Sequence, residues 1–269
     1  RQKIMRRLYY FMIGKMKYQN FFRRIYDLAI KGMNIGEGAN IHEDGEMFVL
    51  EYIKNKLSKN RAENLVIFDV GANIGDYTET VTEVFVEQKP KIYSFEPSKK
   101  TFEQLKSRLG SNQNINLECL AFGEETGSKK LYSSDEHSGL SSLYKRQLDH
   151  FLISMDQSEE IKIDTLDNFC EQNNIKHIHF LKLDVEGHEL SVLKGAKNMI
   201  DSGNIDFIQF EFGGCNIDSR TYFQDFFYLL SPKYNLYRIV KDGLYPIKKY
   251  DETLEIFRTT NFLAEKNEI

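Results

Sequence analysis

The 269 residues, 41% hydrophobic and 28% charged, suffice for one large α/β domain with an appendage and argue against two equal domains. Cys119, Cys170 and Cys215 are widely spaced and lack both C-x-x-C pairing and His neighbours, which argues against a disulfide frame or structural zinc site and for a reducing compartment. The net charge of −4 hides an asymmetry: residues 1–34 carry nine Lys and Arg against Asp27 alone, leaving 27 basic and 39 acidic residues elsewhere, so no general nucleic-acid binding is expected.

No apolar run approaches the ~20 residues that span a bilayer and no signal peptide is visible, so a soluble, cytoplasmic protein is expected. Arg1 to Lys31 reads as helix, interleaving Tyr9, Tyr10, Phe11, Phe21, Phe22 and Tyr26 with basic residues. Such a segment either caps the core with its aromatics or makes peripheral contact with an anionic membrane. Gly32 to Gly45 is a glycine-rich connector whose Asn40, His42, Glu43 and Asp44 are placed to face a site, and a helix follows from Gly45 to Leu57. Residues 1–60 are thus read as helical cap and connector, and 61–269 as the ligand-binding domain.

Leu65 to Phe68 is a continuous apolar run, the mark of a strand buried on both faces. Gly71 and Gly75 then carry the chain through a turn into a helix beginning at Asp76, with Thr78, Val81, Thr82 and Phe85 on one stripe. That strand–glycine–helix junction binds nucleotide-like ligands. The loop lacks both the G-x-G-x-x-G of dinucleotide folds and the G-K-[ST] of phosphate loops, and presents Asp69 and Asn73 instead. A carboxylate there repels phosphate and suits a cation, as S-adenosylmethionine is. Lys91 to Glu96 is a second strand, its terminal acid about 20 residues past the glycines, as expected of a carboxylate reaching ribose hydroxyls. Pro97 opens a helix to Leu109.

Ile115 to Ala121 is read as the third strand, with Ala121 and Phe122 facing an adenine. Lys129 to Ser133 and Glu160 to Asp164 are expected to pair as an excursion around a polar loop, Ser134 to Ser158, of the length of a lid or binding loop. Thr165 to Asn174 is a helix. Ile178 to Asp184 is the fourth parallel strand and runs into Val185-Glu186-Gly187-His188-Glu189, from which one helix continues to Ile200. Titratable groups gathered at the carboxyl end of a central strand lie where open α/β sheets place their chemistry. Asp206 to Glu211 is the fifth strand, and Arg220 to Leu230 a helix. Asn235 to Val240, Leu244 to Ile247 and Thr259 to Ala264 form an antiparallel edge, with a hairpin turn at Lys241-Asp-Gly243.

Phe68-Asp-Val-Gly-Ala-Asn-Ile-Gly75, Phe95-Glu-Pro97, Asp164-Thr-Leu-Asp167, Leu181-Lys-Leu-Asp-Val-Glu-Gly-His-Glu189 and Leu193-Lys-Gly-Ala196 together resemble the FkbM family of S-adenosylmethionine-dependent methyltransferases. The resemblance covers roughly Asn64 to Glu211. It implies a class I, Rossmann-like methyltransferase fold with a seven-stranded, mostly parallel sheet, and O-methylation of a sugar, glycan or natural-product hydroxyl. It carries cofactor contacts onto Asp69, Gly71, Asn73, Gly75, Glu96 and Pro97, and sets Asp184 and Glu186 beside the reacting centre.

In-line methyl transfer requires a positioned acceptor and a base, for which His188 or Glu186 is the candidate, with Asp184 beside them. A magnesium ion on Asp184, Glu186 and Glu211 is the competing arrangement. Three other readings stay open. They are an N- or protein-methyltransferase, although no Asn/Asp-Pro-Pro-Tyr loop follows the fourth strand; a nucleotide-dependent oxidoreductase; and a non-enzymatic binding module.

Overall fold

A computed structural model of the chain describes residues 10–36, 44–59, 64–134 and 138–267. Asn40, His42 and Glu43 of the connector, and basic residues Arg1, Lys3, Arg6 and Arg7, lie outside the described residues. The main sheet is built from β1 (Val66–Val70), β2 (Lys91–Phe95), β3 (Ile115–Glu118), β7 (Ile178–Leu183), β8 (Ile205–Phe212), β9 (Tyr234–Val240), β10 (Gly243–Ile247) and β11 (Thr260–Lys266), in spatial order β10-β9-β11-β8-β7-β1-β2-β3. The pairs among β3, β2, β1, β7 and β8 are parallel and those among β8, β11, β9 and β10 antiparallel. This is a doubly wound sheet with its switch point between β1 and β7, where such sheets bind ligands. The sheet has eight strands, not seven, because the hairpin through Lys241 and Asp242 adds β10 as an outer edge paired with β9.

A second, three-stranded sheet runs β4 (Ala121–Phe122), β6 (Gln157–Asp164), β5 (Gly127–Ser133), with Lys129 opposite Ile161 and Leu131 opposite Glu159. The expected excursion is therefore present. The expected third strand is divided: β3 ends at Glu118, and Ala121–Phe122 leaves the main sheet to pair in parallel with Ile163 and Asp164.

Helices α1 (Gln19–Gly32), α2 (Glu46–Lys59), α3 (Asp76–Val84) and α4 (Lys99–Leu109) precede the small sheet; α5 (Leu166–Gln172), α6 (Glu189–Gly195), α7 (Lys197–Asp201), α8 (Cys215–Ser219) and α9 (Phe223–Leu230) follow its last strand. The expected single N-terminal helix is interrupted, since Gly14 takes φ +69 and a 3-10 turn covers Met16–Tyr18. The expected helix from Glu189 to Ile200 breaks at Ala196. There the Gly195 backbone approaches the Gly123 carbonyl so closely that a Cβ would stand 2.0 Å from it.

Strand alternation sorts the core into two faces. Phe68, Val70, Tyr93 and Phe95 pack with Phe122, Phe169 and Leu193, the five phenylalanine and tyrosine rings of the strands and Phe169 lying 4.6–6.4 Å apart by centroid in contacting pairs. Ile67 and Ile92 face the other way, onto Val81, Leu105 and the α2 residues Val49, Leu50 and Ile53. The C-terminal ends of β1, β2 and β7 are thereby held between two packed layers and converge on one crevice.

Candidate active site

Gly71 follows β1 at φ +88, in the left-handed region that favours glycine, and a Cβ there would stand 1.8 Å from the Asp184 carbonyl oxygen. The turn after β1 is knitted to its neighbours: Gly71 and Ala72 donate their N–H groups to the Phe95 carbonyl (3.0 and 2.9 Å), and Asp184 N donates to the Val70 carbonyl (2.9 Å). Glu96, at the end of β2, accepts from Asn73 N (3.0 Å) and Ser98 N (2.9 Å), and burial lifts its carboxyl to about 7 against the pull of those two donors.

These ends surround a crevice of about 690 Å³, its open mouth included. Of the residues expected to hold a ligand, Gly71, Asn73, Glu96, Pro97, Ala121, Phe122 and Asp184 line it, together with the expected catalytic group Asp184, Glu186 and His188. Leu120, Ala121, Phe122, Leu131 and Leu143 give it an apolar side, and Glu96, Asp184 and Glu186 an acidic one. No Lys or Arg is among the described residues that line it. The buried Oδ1 of Asn73 has no hydrogen-bond partner and is free to meet a ligand.

Two of the expected contact residues lie outside the lining. Asp69 does not line the crevice; it shares the strand face of Ile67, is fully buried, and accepts from Thr78 Oγ1 at 2.6 Å, with Ser94 Oγ 2.8 Å from the same hydroxyl. Gly75 does not line it either. Its φ is +96 and its bare Cα lets Leu105 and Leu109 close on the turn, where a Cβ would meet their methyls at 2.6–2.7 Å. Both residues shape the turn from behind.

The acidic side has its own order. Lys182, buried on β7, donates to Asp184 Oδ2 (2.9 Å) and lies 4.5 Å from the centre of the Tyr77 ring. Burial disfavours its charge, yet Asp184, Asp69 and Glu46 outweigh that and hold it protonated. Glu186 takes φ +50, uncommon for a residue with a side chain. Ser142 Oγ donates to its backbone carbonyl (2.7 Å), and Arg146 Nη1 donates to its Oε2 (2.5 Å). Burial, then the neighbouring Asp184, lift its carboxyl to about 7 while Arg146 opposes them. Glu189, wholly buried, accepts from Val185 N (3.0 Å) and Gly187 N (3.2 Å).

His188 is 3% exposed, and burial lowers its imidazole to about 4, so it is neutral at physiological pH. Its Nδ1 lies 3.0 Å from the Tyr144 hydroxyl, and its Nε2 is buried without a partner. Tyr144, Arg146, Ser142 and Gly139 all come from the loop between β5 and β6, which supplies part of the wall. The loop was expected to bind by its length alone; the individual contributors carried no signal, because nothing periodic fixes side-chain direction in such a segment.

The carboxylates do not suit the magnesium arrangement. Arg146 and Lys182 already occupy Glu186 and Asp184, and Glu211 is half-buried beside Cys215 Sγ (4.0 Å), outside the crevice lining. Among the described residues, the trio whose ligand atoms fall within 4.8 Å of one another is instead His177, His179 and Asp206. That trio is already satisfied. His179 Nδ1 accepts from Val66 N (3.0 Å), which fixes the proton on Nε2, and Asp206 takes His177 (2.7 Å) and Lys266 (2.9 Å). Among the described residues no helix is long and apolar enough to cross a membrane.

Residues 69–239 match the Methyltransferase FkbM domain. The chain is 27% identical over 157 residues to a hexuronic acid methyltransferase of Haloferax volcanii, covering 58% of this chain and 60% of the relative. It is 30% identical over 144 residues to Methyltransferase 1 of Beauveria bassiana, covering 48% and 57%. The chain thus spans about 60% of the length of the curated relatives it matches. A solved FkbM methyltransferase from Methylobacillus flagellatus aligns at 18% identity and a TM-score of 0.45, over 75% of this chain and 43% of that one, too distant to add to the fold already read from the strand order. With the family's domain matched from the end of β1 through β9, the chain belongs to the FkbM methyltransferase family.

Proposed function

We propose that the chain is an S-adenosylmethionine-dependent O-methyltransferase acting on a hydroxyl of a sugar, glycan or natural product. The observation that carries this reading is the crevice at the strand ends, acidic on one side, apolar on the other, and free of Lys and Arg among its described lining residues. Such a lining accepts an ammonium-sulfonium nucleoside and opposes a diphosphate. The family and the hexuronic acid methyltransferase among its relatives support methyl transfer to a sugar.

In this reading Glu96 holds the ribose hydroxyls, Asn73 Oδ1 and Asp184 face the amino acid portion, and Ala121 and Phe122 flank the adenine. S-adenosylmethionine, when bound, supplies a methyl group on a positively charged sulfur. Glu186 is assigned as the base that takes the acceptor's proton at its carboxylate. It lines the crevice, its backbone is fixed by Ser142, and its carboxyl at about 7 titrates near working pH. His188, its Nδ1 engaged by Tyr144 and its Nε2 enclosed, is assigned to positioning rather than proton transfer. The loop carrying Gly139, Ser141 and Leu143 covers the crevice wall and keeps water from the reacting pair.

Incubation with methyl-labelled S-adenosylmethionine and a panel of glycosides should yield alkali-stable O-methyl sugars. Binding of NADH but not of S-adenosylhomocysteine would overturn the assignment.

A second reading concerns α1 alone. Phe21, Ile25 and Leu28, spaced i, i+4 and i+7, are 50%, 46% and 73% exposed on one stripe, while Ile30 on the other side is buried. With Arg23 and Arg24 in the same helix, this stripe suits an anionic membrane surface. Vesicle flotation should show binding to phosphatidylglycerol but not to phosphatidylcholine, weakened by Leu28→Asp. Equal flotation with both lipids, or none with either, would remove this reading.

A further inference from the structure

His188 belongs to two cavities. One is the crevice; the other is an open groove of about 1360 Å³ on the far side of its ring, which also takes in Tyr144. The two are neighbours along β5 as well, since Leu131 lines the crevice and Lys129, two residues earlier on the same strand face, lines the groove. A molecule lying in the groove is therefore set apart from the reacting end of the crevice by the hydrogen-bonded Tyr144 and His188 side chains alone on that side.

The charges of the groove do not cancel. It is lined by Lys129, Lys194 and Arg220 against Glu124 and Asp225. Lys194 lies 3.7 Å from Glu124, and Asp225 Oδ2 accepts the Tyr222 N–H at 2.9 Å. Lys129 and Arg220 have no carboxylate partner among the described residues, and both are exposed. Arg220 is nevertheless not on a loose loop. It takes φ +59 at the end of α8, where Asn216, 1% exposed, accepts Gly213 N (2.8 Å) on its Oδ1 and donates to Thr221 Oγ1 (2.7 Å), and Ser219 Oγ lies 2.7 Å from the same hydroxyl. The guanidinium thus stands on a braced turn, and the ammonium of Lys129 on a paired strand.

Resting on the methyltransferase reading above, we propose that this groove is the acceptor site and that Lys129 and Arg220 select a negatively charged sugar, holding its carboxylate or phosphate while a hydroxyl of the same residue enters the crevice beside Glu186. An anion in the groove gains two charge-assisted contacts that a neutral sugar lacks. Because both cations are exposed, each contributes modestly, and a preference of about tenfold is expected.

The test titrates the full chain, with and without saturating S-adenosylhomocysteine, with p-nitrophenyl β-glucuronide against the matching glucoside, and with glucose 6-phosphate against glucose. The charged member of at least one pair should bind about tenfold tighter, and the winning pair tells carboxylate from phosphate. In the Lys129→Gln/Arg220→Gln variant that preference should fall to less than about twofold while S-adenosylhomocysteine affinity is unchanged. Equal binding within both pairs, or a preference that survives the double variant, overturns the inference and leaves the cofactor assignment standing. Absence of S-adenosylhomocysteine binding, with the glycoside preference intact in its absence, instead overturns the methyltransferase reading and the acceptor role with it.

Discussion

Replacing Glu96 with Gln tests the cofactor assignment with a magnitude the structure supplies. The carboxylate is proposed to accept ribose hydroxyls while already accepting Asn73 N and Ser98 N. Removing the charge while keeping one acceptor oxygen should cost the 1.5–3 kcal/mol typical of a charged hydrogen bond, or about 10- to 150-fold in Kd at pH 8. Ala is the poorer choice, because it also strips the acceptor from two backbone donors and costs about 1–3 kcal/mol of fold stability for each. The carboxyl, lifted to about 7 by burial, is largely protonated at pH 6, so the wild-type chain should itself bind S-adenosylhomocysteine about tenfold more weakly there than at pH 8. The variant has no such group, and the comparison cancels titration of the ligand. Isothermal calorimetry at both pH values should therefore show the gap between wild type and variant shrinking about tenfold on acidification. A variant that binds as tightly as wild type at pH 8, or a gap independent of pH, would refute the reasoning.

Three further outcomes are expected. If Glu186 is the base, kcat/KM rises with pH through about 7, and Arg146→Met, which removes the cation opposing the upward shift, moves that limb to higher pH; a limb left in place excludes Glu186. Gly71→Ala forces a methyl to within 1.8 Å of a carbonyl oxygen at positive φ and should cost more than about 3 kcal/mol by denaturant titration. Gly214→Ala, with open space around the new Cβ and φ −60, should cost less than about 1 kcal/mol, and equal losses would count against the turn geometry. Glu189 is lifted by burial to about 8, so the native chain holds a proton there that the unfolded chain sheds near 4.5. Its contribution is complete below about pH 4.5 and is lost as pH rises toward 8. Glu189→Gln should therefore match wild type near pH 5 and exceed it by roughly 5 kcal/mol at most at pH 9, by chemical denaturation at each pH; a parallel loss in both proteins would contradict the burial argument.

The central strands were legible because β1, β2, β7 and β8 are apolar runs bounded by turn residues. The crevice lining was legible for the same reason: ligand groups gather where those strands end, so Glu96, Asp184 and Glu186 could be placed by position alone. Asp69 was not, because a strand buried on both faces shows no alternation to say which way a given residue points, and it proved to face Thr78. The turning of Ala121–Phe122 into the small sheet is set by pairing with Ile163 and Asp164, some 40 residues away, and leaves no local trace. Arg146 and Tyr144 reach the site from an irregular loop, and the Gly195–Gly123 approach beside the break between α6 and α7 is a tertiary contact between two glycines.

The central claim is that the acidic crevice between β1, β2 and β7, with no Lys or Arg among its described lining residues, holds a sulfonium nucleoside. A crystal structure with S-adenosylhomocysteine tests it directly. The account predicts the ribose on Glu96, the adenine against Ala121 and Phe122, and the sulfur directed toward Glu186 and His188. A crevice left empty at saturating ligand, or the nucleoside bound elsewhere on the chain, would contradict it.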